Sequence, residues 1–435
     1  PIYDPVERSY ASDNRGHNHN FRAIGAINWK PIQGMTARSE IGLNKRFNRN
    51  ENYTKGYGND KKSATLSRGE SDNLHWTNTV SYQLPIKNDN HRADVMVGSE
   101  LIASNSQSMS FNAWEYPDSF SREQVFAFMN QYTEDFSYST SYGVPGRSLS
   151  FFGRANYTLM DKYMFTFTMR ADGSSRFAPN NRWGYFPAGA FAWRVIDEDF
   201  MADAKDWLSN LKLRVSYGVT GSDAISANLW RETWQLGGNG SYTISPGRED
   251  TELNYGQSYY PNTQMQNPNL KWETTITRNL GIDFGFLDER IYGTIEGYWS
   301  TTNDLLFPVA VNASTGYSTQ YQNMGTVSNR GIEFSIGGDI VRTSDFSLSA
   351  NLVYTFNKNK VDYIDPAVKA TKYGAWSSSE RYPLGGEFFI QQGMPMGMLV
   401  AYENLGWYTT DDFNYDPTTG VYTLKEGIPD WAADD

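Results

Sequence analysis

The stretch "RADGSSRFAPNNRWGYFPA", Arg170 to Ala188, sets an Asp-Gly, two serines, three arginines and two asparagines beside the apolar runs "YMFTFTM" and "AGAFAW". It reads either as a Gly-rich cradle for an anion or as a turn, and its flanks decide. Before it, Tyr163, Phe165, Phe167, Met169 and Ala171 alternate with Met164, Thr166, Thr168 and Arg170. After it, Tyr185, Pro187, Gly189, Phe191, Trp193 and Val195 share one phase. Period two is the signature of strands, because successive side chains leave opposite faces. An anion cradle needs a helix start directly after its glycines, and none follows. The segment therefore reads as a polar loop joining two antiparallel strands.

The same alternation runs through the chain, and two kinds of connection take turns. Short ones lie at "KPIQG", "PIKNDN", "MDK", "LDER" and "RTSD", with a short acidic helix-like insert between 184–195 and 211–219. The others, 48–70, 104–147, 172–183, 220–270, 302–330 and 358–387, are nearly all long. Antiparallel strands joined in this rhythm place all the long loops at one end. That is the plan of a transmembrane β-barrel with short periplasmic turns and long external loops. About a dozen strands of roughly 9–11 residues are expected, the length that crosses a bilayer at a tilt. Ser174 then belongs to the external side, and Asp89 and Asp288 to periplasmic turns.

One strand phase carries Trp, Tyr, Phe, Leu and Val, and the other carries Ser, Thr, Asn, Arg, Gly and a few acids. In a barrel the first faces lipid and the second lines a wet lumen. Aromatics near strand ends (Trp29, Trp76, Tyr82, Tyr157, Tyr163, Trp193, Tyr217, Trp272, Trp299) suit membrane interfaces. Arg278 breaks the apolar phase of "WETTITRNLGIDF", so a bulge or a place near the outer interface is expected there.

Composition narrows the class. The 435 residues are 15% aromatic and 20% charged, with net charge −11 and no cysteine. A phosphate backbone is repelled by such a chain, so no nucleic-acid partner is expected. Thiolate metal sites and disulfides are excluded. No apolar run reaches the roughly 18 residues of a spanning helix. The opening "PIYDPVERSY" and the closing "GIPDWAADD" carry neither a leader nor a closing strand pattern, which reads as an internal fragment.

Chemistry is sparse. His17 and His19 in "GHNHN" share one side of an extended chain but lack a third ligand nearby, so no metal and no cofactor is expected. The acids Asp197, Glu198 and Asp199 open the amphipathic insert, where they offset a helix dipole. No nucleophile elbow is present, and "LGGNG" lies in a long loop. His75 on the polar phase leaves a barrel hydrolase as a remote alternative, and the expectation is a protein that is not an enzyme. The long loops are dense in aromatics, and flat rings with polar tips suit sugars and protein interfaces alike. Trp114, Tyr116, Trp230, Trp234, Tyr259 and Tyr260 are the candidate contacts for a ligand or partner.

Longer motifs add a resemblance. "FFGRANYTLMDKYMFTFTMRADGSSRFAPNNRWGYFPAGAFAWRVIDEDFM" resembles the central signature of SusC/RagA-type TonB-dependent outer-membrane transporters. "LKLRVSYGVTG", "NPNLKWETTITRNLGIDFGFLDERIYGTIEGYW", "NMGTVSNRGIEF" and "GMPMGMLVAYENLGWY" follow in the family's order. The resemblance implies part of a 22-stranded barrel in the outer membrane, residues 1–435 being barrel without the plug domain. It implies TonB-driven uptake of oligosaccharides or peptides beneath a SusD-type surface lipoprotein, and it carries no catalytic residue. The competing expectation is a secreted, aromatic-rich β-sheet protein that binds glycans.

Overall fold

The computed structural model describes residues 6, 10–55, 62–117, 119–131, 136–236, 259–365, 371–373, 388–399 and 407–428. At 235–236, 259–261, 371–373 and 389 it describes the backbone only. The chain divides into two compact units, one of residues 1–369 and 391–395, the other of 370–390 and 396–435.

In the first unit the strands are β1 (Ser12–Trp29), β2 (Met35–Thr54), β3 (Lys62–Gln83), β4 (His91–Tyr116), β5 (Phe136–Tyr142), β6 (Gly146–Leu159), β7 (Tyr163–Ser174), β8 (Trp183–Arg194) and β9 (Leu208–Ser222). They continue as β10 (Trp234–Leu236), β11 (Tyr259–Pro261), β12 (Gln264–Met265), β13 (Glu273–Phe286), β14 (Ile291–Asn303), β15 (Leu306–Ala310), β16 (Thr319–Asn323), β17 (Thr326–Arg342) and β18 (Ser347–Tyr363). A short helix, α1 (Arg122–Ala127), starts on a Ser121 and Gln124 capping box. A single 13-stranded antiparallel sheet runs β1-β2-β3-β4-β6-β7-β8-β9-β13-β14-β17-β18, with β5 added on β4. Each hairpin neighbour pairs with the next, as the alternating connections require.

The strands outrun the expected span: β2 has 20 residues, β3 has 22 and β4 has 26. The expected loops 48–70 and 104–147 therefore shrink, since Thr54 pairs with Ser63 and Ala113 with Ala64. Polar composition concealed strand there. Asn, Ser and Thr in every second position keep the pleat when a neighbouring strand supplies the ladder.

On the apolar face, cross-strand rows run Ile41–Trp76–Leu101 and Leu43–Leu74–Ala103. The next rows turn charged: Lys45–Asp72–Asn105, Phe47–Glu70–Gln107 and Arg49–Arg68–Met109. Below that boundary large apolar side chains stand in the open, Val97, Phe167 and Ile332 among them at 60%, 57% and 57% exposure. A soluble sheet would cover such a face. Near the short turns an aromatic belt links Tyr157 to Phe165, Phe165 to Phe191 and Tyr163 to Trp193. Arg278 sits in unbroken register between Tyr217 and Trp299, so no bulge places it. Its guanidinium lies 5.8 Å from the Tyr217 ring centroid, which offsets part of its desolvation.

The second unit holds the small sheet β19 (Thr371–Tyr373), β20 (Phe388–Ile390), β21 (Met398–Leu399) and the hairpin of β22 (Phe413–Asp416) with β23 (Val421–Leu424).

Candidate functional site

The polar face changes character along the strands. Towards the long-loop end of β1–β5 its rows read Arg22–Asn44–Asn73–Ser104, Asn20–Arg46–Ser71–Ser106 and Asn18–Asn48–Gly69–Ser108. They continue Gly16–Asn50–Ser67–Ser110, Asn14–Asn52–Thr65–Asn112 and Ser12–Thr54–Ser63–Trp114, with Ser137, Ser139 and Ser141 of β5 opposite Asn112, Ser110 and Ser108. No carboxylate interrupts these rows. Thr65 Oγ1 donates to Asn112 Oδ1 at 2.8 Å, and Ser67 and Ser110 share a 3.0 Å hydrogen bond. Apart from Arg22 and Arg46, such a surface offers neutral donors and acceptors only.

Nearer the short turns the same face is ion-paired. His75 Nε2 lies 2.6 Å from Glu100, which also accepts from Arg170. Arg170 Nε donates to Asp172 at 2.7 Å, its Nη2 donates to Ser150 at 3.0 Å, and its guanidinium covers Phe152. Farther round, Arg214 grips Asp283 and reaches Glu296 at 3.4 Å. Cross-strand pairs of opposite charge hold this band, since carboxylates in a half-buried wall need partners. His75 Nε2 is thereby engaged by Glu100 and by the Thr77 hydroxyl, with no serine nucleophile among its described partners.

Two hydrophobic clusters organise the long-loop end. In the first, Tyr53, Ala64, Ala113, Tyr116, Val125 and Met129 bury against one another, with Phe120 and Phe126 of the α1 segment packed on them. These strand positions continue the apolar phase, so the segment folds outward over the wall. Arg122 fastens it, reaching Glu51 at 2.7 Å and Asp13 at 3.2 Å. Burial opposes the Glu51 charge, but the Arg122 hydrogen bond and the Arg49 charge outweigh it and hold the carboxyl below its usual range.

The second cluster, Phe177, Phe186, Ile225, Leu229, Leu270 and Trp272, ties three loops together. The Arg170–Ala188 stretch is its hub: Phe177 is fully buried, Ser174 Oγ donates to Asp223 at 2.6 Å, and Arg176 donates to the Asp223 carbonyl at 2.8 Å. Asn267 Nδ2 donates to the Tyr321 carbonyl, and Asn323 grips both the N–H and the carbonyl of Lys271. Two family-like motifs, "NPNLKWE" and "NMGTVSNRG", are thus the two halves of a clamp. Trp272 belongs to this core, with Nε1 donating to the Arg182 carbonyl, and not to the interfacial belt expected for it. Ser174 stands at the long-loop end but is 2% exposed, so Asn180 on the open tip is the residue a reagent meets there.

The candidate aromatics separate. Trp114 ends the polar rows and is 39% exposed. Tyr116 follows a bulge at Glu115, whose φ of 65° turns the ring to the opposite face. There it is 3% exposed, and its hydroxyl donates to the Met129 carbonyl at 2.7 Å, which makes it a core residue and no surface contact. Burial pushes its phenol up to about 12. Trp230 is half-buried, and its shielded indole N–H meets no acceptor among the described residues. Trp234 is 56% exposed on β10, which pairs with β11. Tyr259 and Tyr260 supply the backbone of β11, and their side chains lie outside the described residues, as do Tyr132, Tyr242, Tyr255, most of "LGGNG" and residues 400–406 of "GMPMGMLVAYENLGWY". His17 and His19 stand opposite Arg49 and Phe47 on the apolar phase beyond the charged boundary. Among the described residues no cluster of three metal-ligating side chains occurs. The serine and asparagine rows were the signal that an eye for aromatics misses; "SNSQSMSFNAW" shows them by its period of two.

A family model described as "TonB dependent receptor-like, beta-barrel" matches residues 2–432. The chain is 38% identical to the TonB-dependent receptor SusC of Bacteroides thetaiotaomicron over 274 residues, 62% of this chain and 25% of that protein. It is 26% identical to the TonB-dependent receptor P39 of Formosa agariphila, across 96% of this chain and 38% of that protein. The chain thus spans between a quarter and two fifths of these relatives' length. The solved RagAB peptide transporter shares the fold with a TM-score of 0.75 at 21% identity, over 90% of this chain and 40% of that one. The antiparallel wall with its open apolar face, the alternating connections and this match together establish that the chain belongs to the TonB-dependent receptor β-barrel family, of the SusC/RagA type.

Proposed function

We propose that the chain forms part of the wall of an outer-membrane importer that takes up large, uncharged, polyhydroxylated solutes, oligosaccharides before peptides. The observation that carries this reading is the carboxylate-free Asn, Ser and Thr face of β1–β5, which ends at Trp114. Sugar hydroxyls donate and accept, so they match amide and hydroxyl side chains, and an indole face suits the C–H face of a sugar ring. A peptide with charged termini finds no ionic partner there apart from Arg22 and Arg46. The long-loop end faces outward in this reading, where the exposed tips, Trp234 among them, are the ground for a SusD-type lipoprotein. Energy from the TonB complex belongs to the same reading, supported by the family match, and no residue of this chain is assigned to it.

Calorimetric titration of the natural full-length protein with an uncharged glucan oligosaccharide, a uronate-bearing oligosaccharide and peptides of matching size tests the substrate class. The uncharged glycan should bind at least tenfold tighter than the others. Equal or tighter binding of peptides sinks it.

A further inference from the structure

The connection between β8 and β9, residues 195–207, is the longest of the short-turn set and folds as two 3₁₀ turns, 195–197 and 199–204. Its ends are pinned by Val195, Ile196 and Leu208, all buried. Between them Glu198 accepts three hydrogen bonds, from Tyr163 Oη at 2.7 Å, Trp193 Nε1 at 2.9 Å and Lys162 Nζ at 3.3 Å. Its far end is locked to the next turn, since the Leu287 N–H donates to the Trp207 carbonyl at 2.9 Å. A loop so firmly held has no need of large exposed rings, yet Phe200 is 70% exposed and Trp207 is 53% exposed.

The rings these two touch say what covers them. Phe200 stands edge-on to Trp193 at 6.5 Å, and Trp207 stacks on Phe286 at 5.9 Å and 8°. Trp193 and Phe286 both lie in the apolar phase, in register with Tyr163 and Leu213 and with Leu208 and Ile291. Phe200 and Trp207 therefore extend the lipid-facing surface around the rim and not across the polar face. We propose that residues 195–207 form an in-plane membrane anchor that seats Phe200 and Trp207 in the headgroup–acyl boundary of the leaflet at the short-turn end. Aromatic side chains prefer that depth because a flat apolar body meets lipid while polar edges meet water. Glu198 serves the anchor by holding the loop against the Tyr163–Trp193 pair.

This inference rests on the placement of the barrel in a bilayer, and its test separates the two. In the natural full-length protein, with any cysteines outside this chain replaced, nitroxide labels at Phe200→Cys, Trp207→Cys and Ala202→Cys are compared in liposomes with labels at Phe165→Cys on the wall and Asp89→Cys in the β3–β4 turn at the same end. Collision with oxygen against a water-soluble nickel chelate reads depth. Labels at 200 and 207 should favour oxygen, lying between 165 and 89 in depth. If 165 favours oxygen while 200, 207 and 202 all match 89, the anchor is overturned and the barrel stands. If 165 itself favours nickel, the bilayer placement fails, and the anchor with it. Ala202→Cys removes neither ring, so it reports depth even where a ring substitution prevents folding, and heat-shifted gel mobility checks the fold of every variant.

Discussion

The tips of β2, β3 and β4 carry two faces that differ completely. One is an open array of amide and hydroxyl groups ending at Trp114; the other is a closed core in which Tyr116 and Arg122 seal α1 against the wall. Backbone and length are common to both, so the contrast comes from side-chain phase alone. The apolar phase can recruit a neighbour and become structure. The carboxylate-free polar phase gains little from packing, since its amide and hydroxyl groups are nearly as well satisfied by water, and so it stays available for a ligand.

Four substitutions break or sharpen that contrast. Tyr116→Ala should cost most, about 3–5 kcal/mol of stability, because it removes a buried ring and leaves the Met129 carbonyl without its donor. A denaturant midpoint shifted by less than a fifth of that would place Tyr116 outside the core. Arg122→Met leaves Glu51, whose side chain is 10% exposed, with Arg49 as its remaining partner, and should cost about 1.5–3 kcal/mol at neutral pH, the scale of a hydrogen bond to a charged group. The linkage runs in one direction here. The Glu51 pKa is depressed in the fold, so this contribution is present above its unfolded value and fades as pH falls through the folded one. Wild type and Arg122→Met should therefore converge in stability on acidification below about pH 4, the ordinary range for a Glu.

Tyr116→Phe isolates the hydroxyl. Its folded pKa of about 12 lies above the ordinary value of 10.0, so the wild type keeps its full contribution below pH 10 and loses it as pH rises towards 12. The loss is up to about 2.7 kcal/mol at 1.36 kcal/mol per unit. The Phe variant should start about 1 kcal/mol lower and lack this alkaline decline. Opposite behaviour is expected across the bulge. Trp114→Ala should leave the denaturant midpoint within about 0.5 kcal/mol, as for ordinary exposed sites. It should nonetheless weaken binding of an uncharged oligosaccharide tenfold or more, the scale of an aromatic anchor. An unchanged titration would detach Trp114 from the ligand path and leave the polar face as solvated wall only.

Sequence alone determined the strand order, the alternation of faces and the end at which the long loops gather. Those properties are local: a pleat makes period two compulsory, and antiparallel pairing makes the connections alternate. The serine and asparagine rows carry the same period of two, but most of them lie in stretches expected to be loops, and the pairing of β2, β3 and β4 was needed to show them as a face. Tertiary structure decided three other things. It extended the strands through Asn48–Thr54 and Ser104–Tyr116, because ladder hydrogen bonds from a neighbour outweigh weak strand propensity. It parted Trp114 from Tyr116, two positions apart and nominally on one face, by a single positive φ at Glu115 that no local pattern announces. And it turned the Arg170–Ala188 stretch from an exposed loop into a hub. Phe177 and Ser174 are buried only when Trp272 and Asp223, distant in sequence, close over them.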